Sequence, residues 1–184
     1  MKHLKYIRTD SGGIVTPELL TTSQFKIRDI AAGLSKVCRW SGQCRAWYPV
    51  AAHSIHVAHM VPRKHRVAAL LHDASEAYIG DVPSPMKTLM PDYKRIENQI
   101  MEKIAEAFGF DYPLDPVVKQ ADAAALYLER EHLFCLPVAD DVPKVDPPNS
   151  VEWLFSIWFD GGFEFARQQF LHEWFEATNP EEVT

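Results

Sequence analysis

Residues 70–81 read LLHDASEAYIGD. An apolar run, Ala68-Ala69-Leu70-Leu71, ends on His72 and Asp73, and Glu76 and Asp81 follow close behind. Ionised carboxylates avoid apolar neighbours unless something compensates them, and a divalent cation compensates well. Imidazole nitrogen and carboxylate oxygen both suit a hard or borderline metal ion. The stretch therefore points to a metal site carried on helices and to metal-assisted hydrolysis.

On both sides of it the hydrophobic period is helical. Ile27, Ile30, Ala31, Leu34 and Val37 recur at three- and four-residue spacing, which predicts an amphipathic helix ending near Cys38, and Ser41-Gly42 breaks it. Pro49 opens a helix from Val50 to about Met60, and Pro62 opens another to about Ile79 with Gly80 as its stop. The VPSP stretch starts a short segment through Met90. Pro91 begins a helix to about Phe108, FGFDYPLDP is a loop, and Pro116 begins the helix that carries Asp122. Residues 136–149 form a Pro-rich loop, residues 151–177 an aromatic-rich helical region that includes Trp153, Trp158 and Trp174, and the tail is loose. At the start, Leu4–Ile7, a turn at residues 10–13, and Ile14-Val15 suit a short hairpin. The expected fold is an all-α bundle in one domain, residues 1–184, with a short N-terminal β-hairpin.

Composition narrows the partners. At 184 residues and 47% hydrophobic content the chain can bury a full core. A net charge of -6 disfavours binding to nucleic acid polymers. A small anionic substrate stays compatible with it, because a metal and a few cations dominate one pocket. Cys38, Cys44 and Cys135 are odd in number and lack CxxC spacing, which suits a reducing cytoplasm rather than a disulfide scaffold. The opening residues lack the apolar core of a secretory signal, and no run is long enough to span a membrane.

Helix placement brings the acids and histidines together. His72 and Glu76 are four apart and Asp73 and Glu76 three apart, so they neighbour one another on a helix. Asp122 falls within the apolar stripe of Val118, Ala121, Ala125 and Leu128. His53 lies one turn inside the helix after Pro49. Each has an ordinary alternative: a core histidine, an Asp paired with Lys119, a solvated Glu76, a turn Asp81, a surface Arg39 beside a core Trp40. Residues of the right types on three helices that would pack together favour the shared site.

The order His53, His72-Asp73, Asp122 resembles the metal-binding pattern of the HD-domain phosphohydrolases. HDASEAYIGDVPSPMK at 72–87, Arg39-Trp40, and VKQAD at 118–122 look like the bacterial 5'-deoxynucleotidase branch and its phage relatives. The likeness covers about residues 25–135. It implies that His53, His72, Asp73 and Asp122 hold one divalent transition metal ion (zinc, cobalt, manganese or iron), leaving positions for water and a phosphate oxygen. It also implies that Glu76 transfers protons or places the water, and that Asp81 orients the water or a sugar hydroxyl. Arg39 and Trp40 would clamp phosphate and sugar or base, Lys87 would meet a distal phosphate, and Pro83 would stiffen the pocket wall; Arg45 and Lys119 are further cation candidates. The implied activity is a 5'-nucleotidase on deoxyribonucleoside monophosphates, with water held by the metal as nucleophile. A dNTP triphosphohydrolase and a metal-stabilised binding protein without turnover are the alternatives. A homo-oligomer is expected by the same likeness.

Overall fold

The computed structural model describes residues 5–134, 144, 146 and 161–179. Cys135, most of the Pro-rich loop, Trp153, Trp158, Leu4 and the end of the tail lie outside the described residues.

The described chain is mostly helical, with a two-stranded antiparallel hairpin at the N-terminal end. Strand β1 (Ile7–Arg8) pairs with β2 (Ile14–Val15) in the register Ile7 opposite Val15. The turn between them is tied to the first helix, because the Ser11 backbone N–H and hydroxyl both donate to the buried Asp29 carboxylate, at 2.7 and 2.9 Å. Helix α1 (Ile27–Leu34) buries Ile30, Ala31 and Leu34, as its period predicts. It stops before Cys38 because the following backbone is needed elsewhere: the Val50 N–H donates to the Val37 carbonyl and the Arg39 N–H to the Tyr48 carbonyl, both at 2.9 Å. That pairing demands extended residues where the sequence pattern still reads as helix.

Helix α2 (Val50–Met60) is apolar nearly all round and runs through the centre of the molecule, as such a helix must. It packs against α3 (Arg66–Leu70), α7 (Pro116–Leu133) and α8 (Gly162–Thr178). Helix α6 (Pro91–Phe108) buries Ile100 and Ile104 and ends at Gly109, whose φ of 73° is the left-handed stop that glycine tolerates. Asp115 caps α7 by accepting the Val117 N–H at 2.8 Å. Among the described residues no helix is long and apolar enough to cross a membrane.

The expected continuous helix from Pro62 to Ile79 is corrected. The chain makes a 3-10 turn at Arg63–His65, then α3, then turns through residues 71–75, then forms α4 (Glu76–Ile79) and α5 (Ser84–Lys87). The His72 ring is hydrogen-bonded back across the interruption. Its Nδ1–H donates to the Ala69 carbonyl at 2.7 Å, the acceptor that a continuous helix would offer to the Asp73 N–H. Downstream, Ala74 and Glu76 donate to carbonyls three residues back rather than four. His72 and Glu76 are thus joined by a turn rather than set along one helical face.

Helix α4 is held against α1 at a bare point. A Cβ on Gly33 would lie 2.7 Å from both the Cβ and the carbonyl oxygen of Ala77. Backbone cannot yield as a flexible side chain does, so Gly33→Ala should push α4, and Glu76 with it, away from α1. We expect a stability loss of about 1–3 kcal/mol despite alanine's better helix propensity. Urea unfolding of the two proteins checks it, and an unchanged midpoint would show that α1 and α4 can separate freely.

Candidate metal centre

Four ligand atoms converge where α2, the 71–75 turn and α7 meet. His53 Nε2 lies 3.1 Å from His72 Nε2, 3.1 Å from Asp122 Oδ1 and 3.6 Å from Asp73 Oδ2. His72 Nε2 lies 3.2 Å from Asp73 Oδ2 and 3.7 Å from Asp122 Oδ1. Ligands bonded at about 2.0–2.2 Å to one ion sit roughly 2.8–3.6 Å from their neighbours, so the 3.1 Å separations of His53 Nε2 from His72 Nε2 and from Asp122 Oδ1 suit a shared cation. His53, His72 and Asp122 form a group that could bind a metal ion.

Proton accounting sharpens the fit. His53 Nδ1 faces the Glu129 carboxylate at 2.6 Å, and His72 Nδ1 faces the Ala69 carbonyl at 2.7 Å. Both partners only accept, so each neutral imidazole carries its hydrogen on Nδ1. The two Nε2 lone pairs then point at each other and at two carboxylate oxygens. Such a set repels itself unless something positive lies among it.

The electrostatics agree. Burial works against charge on both histidines, and Arg39 also lowers His53; Glu129 and Asp122 nonetheless raise His53, while Asp73 and Asp122 raise His72 well above the imidazole range. Burial would raise Asp73 and Asp122, yet His72 and His53 hold both carboxyls below their ordinary values. The cluster attracts positive charge, in the form of protons or of a metal ion.

Glu76, in the first turn of α4, is only 1% exposed. Its Oε1 accepts from Lys87 Nζ at 3.1 Å, while Oε2 is buried without a partner among the described residues. Burial, then Asp73 and Asp81, push its carboxyl well above the usual range against the pull of Lys87 and Arg39. Asp81, just past α4, is raised by burial, with Arg39 opposing and Asp73 assisting. Gly80, at φ 80°, makes the turn between them. Pro83 precedes α5, and its carbonyl accepts the Met86 and Lys87 N–H groups. Lys87 Nζ is shared by Glu76 and Glu97, the latter at 2.7 Å.

Arg39 and Trp40 are turned inward. Arg39 Nη2 and Trp40 Nε1 donate to Glu129 Oε2 at 3.0 and 3.1 Å, and Arg39 Nη1 lies 3.8 Å from Asp73 Oδ2. The Trp40 ring packs edge-on against Phe134, and the Arg130 guanidinium lies 5.5 Å from its centre. Arg45 donates to the His132 carbonyl, and Lys119 is exposed. Asp122 finds its partners in the histidines rather than in Lys119, and its side chain is 46% exposed at the edge of the apolar stripe rather than inside it. Pockets of about 300 and 290 Å³ lie elsewhere, beside the hairpin and beside Phe108–Phe110.

Two acids escaped the reading of the sequence. Glu129 is fully buried on α7, and Glu97 anchors Lys87 from α6. Glu129 left a signal: it stands seven residues after Asp122 and four after Ala125, two turns along the same face. Glu97 left none, because a glutamate beside an apolar stripe on a helix reads as a solvated flank.

No family model matches the chain. It is 35% identical over 153 residues to the uncharacterized protein YfdR of Escherichia coli (strain K12), covering 80% of this chain and 86% of that protein. It is 33% identical to the uncharacterized protein RCAP_rcc00048 of Rhodobacter capsulatus, covering 69% of this chain and 74% of the other. The chain belongs to the family that includes these two proteins. A shorter likeness, 32% identity over 37% of this chain and 45% of the relative, joins it to a 5'-deoxynucleotidase of Vibrio cholerae. Together these matches point to an HD-domain-like family and to a hydrolase.

A cation bound to His53 and His72 must displace their protons, and it stabilises only the folded chain. Thermal or urea unfolding should therefore show stabilisation by Co2+ or Zn2+ of about 2.7 kcal/mol at a free concentration a hundredfold above Kd. The binding should strengthen as pH rises, since at low pH more of the raised imidazoles are protonated and closed to the ion. His72→Ala, compared with its own metal-free baseline, should lose the effect. Equal stabilisation of both proteins would show that the ion binds elsewhere.

Proposed function

We propose that the chain is a metal-dependent phosphohydrolase, and that its substrates are deoxyribonucleoside 5'-monophosphates. The observation that carries this reading is the meeting of two imidazole Nε2 atoms and two carboxylate oxygens, with both Nδ1 positions already committed. A divalent ion held there would supply Lewis-acid activation of water and of a phosphoryl oxygen.

The residues around it divide the remaining work. Glu76 is buried and keeps its proton more readily than an ordinary carboxyl, which suits it to exchange one with water or a leaving oxygen. Its partnerless Oε2 is the atom for that exchange, while Lys87 fixes Oε1. Asp81 stands across the Gly80 turn, within reach of the charges of Asp73 and Arg39, as a water- or hydroxyl-orienting group. Arg39 and Trp40 form the wall that would meet phosphate and sugar. The nucleotide class itself rests on the partial likeness to the 5'-deoxynucleotidase.

One phosphate suits this site better than three. Arg39 and Lys87, the cations nearest the cluster, already serve Glu129, Glu76 and Glu97. A triphosphate would need more free positive charge than they leave.

The test is a panel of dNMPs and dNTPs with Co2+-loaded protein, the product identified as phosphate or triphosphate. We expect phosphate and nucleoside from the monophosphates. Triphosphate release would replace this reading with the triphosphohydrolase, and no turnover of any nucleotide would leave a metal-stabilised binding protein. Glu76→Gln should lower kcat by roughly 10²–10⁴ with metal uptake retained; full activity in that variant would remove Glu76 from the reaction.

A further inference from the structure

Glu129 is the most completely enclosed acid of the centre, with a side chain 0% exposed. Its Oε1 accepts from His53 Nδ1 at 2.6 Å, and its Oε2 accepts from Arg39 Nη2 at 3.0 Å and Trp40 Nε1 at 3.1 Å. One carboxylate thus joins a proposed metal ligand to a turn some ninety residues earlier in the chain.

That turn is costly to hold. Trp40 and Ser41 have φ of 57° and 51°, and Gly42 follows at 72°. Two side-chain-bearing residues in succession rarely adopt the left-handed region, and they persist only where surroundings impose it. The Trp40 indole N–H on Glu129 is such a constraint, and the Arg39 guanidinium beside it balances the buried charge.

At the other oxygen the carboxylate settles a chemical choice. A neutral imidazole can carry its hydrogen on either nitrogen, and only the Nδ1–H form presents a lone pair at Nε2. A carboxylate at Nδ1 selects that form and makes Nε2 a better donor to a metal. We propose that Glu129 is a positioning residue that makes His53 a metal ligand and locks the Arg39–Gly42 turn, so that ion affinity and the order of that turn depend on one side chain. The ligand half of this rests on the metal reading above.

Glu129→Gln, made in the full chain, keeps the shape and an accepting oxygen but removes the charge. Three measurements follow: Co2+ titration of both proteins, amide hydrogen exchange at residues 39–42, and the ring nitrogen–proton correlations of His53 in the metal-free wild type at alkaline pH. We expect the Co2+ Kd to rise roughly 10- to 100-fold. Exchange should quicken at residues 39–42 while α6 stays protected, and the wild-type His53 proton should sit on Nδ1. A purely structural ion pair between Arg39 and Glu129 would leave Co2+ affinity unchanged, and that result overturns the proposal. Unchanged exchange at residues 39–42, or a wild-type His53 proton on Nε2, overturns it as well; the last needs no variant to fold. Failure of the wild type to take up Co2+ would overturn the metal centre itself and the ligand half of the proposal with it. Intact uptake undiminished in Glu129→Gln overturns this proposal alone.

Discussion

The mutual repulsion of His53 Nε2, His72 Nε2, Asp73 Oδ2 and Asp122 Oδ1 is the constraint around which the described structure is arranged. The two imidazole nitrogens lie 3.1 Å apart, each with the Asp73 and Asp122 oxygens 3.1–3.7 Å away, at the junction of α2, the 71–75 turn and α7. Nothing in apolar packing requires this. Each group would cost less free energy exposed or separated, because taking ionised groups from water without compensation costs several kcal/mol. The arrangement makes physical sense as a cavity for positive charge, and the hydrogen bonds at the two Nδ1 atoms leave both Nε2 lone pairs facing it.

The surrounding fold serves that junction. Helix α2 is buried on nearly all sides and so gives His53 a fixed position in the core. The break after α3 matters as much. A continuous helix would set His72 and Asp73 about 100° apart on a regular surface. The turn instead lets the His72 ring bond back to Ala69 and brings His72 Nε2 within 3.2 Å of Asp73 Oδ2. Gly33 then allows α4 to lie directly on α1, which determines where Glu76 enters the site. The strain and bareness of these places, a broken helix, a left-handed turn and a helix contact without a side chain, all lie within a few residues of the proposed chemistry.

Much of this was legible before any coordinates. The helices Val50–Met60 and Pro91–Phe108 have the bounds that proline starts and apolar spacing predict, and α7 begins at Pro116 as expected. The hairpin and the all-α class were equally plain. The turn at 71–75 was not, because ASEA is good helical sequence and the break goes with a side-chain hydrogen bond from His72 to the Ala69 carbonyl. Nor was the early end of α1, which depends on pairing with residues 48–50. Local period records what a segment prefers, whereas these two features come from contacts with other parts of the chain. Glu129 was hidden for a related reason: a glutamate among charged residues near a helix end reads as solvated, and only the packing of α2 and the Arg39 turn against it reveals that it is buried.

Charge balance ties the two halves of the site together. Five carboxylates, Asp73, Glu76, Asp81, Asp122 and Glu129, act on one another here, and Arg39 and Lys87 are the cationic side chains that answer them. Arg39 is spent on Glu129 and Asp73, and Lys87 is shared between Glu76 and Glu97. The excess is negative, which explains why burial and neighbours together keep a proton on Glu76 more readily than usual while the histidines hold Asp73 and Asp122 ionised. A divalent cation would offset the excess on the histidine side, and the attraction would fall off toward Glu76. Attraction for positive charge is thus strongest at the histidines, while Glu76, raised by burial and by Asp73 and Asp81, is the carboxyl that holds its proton most readily.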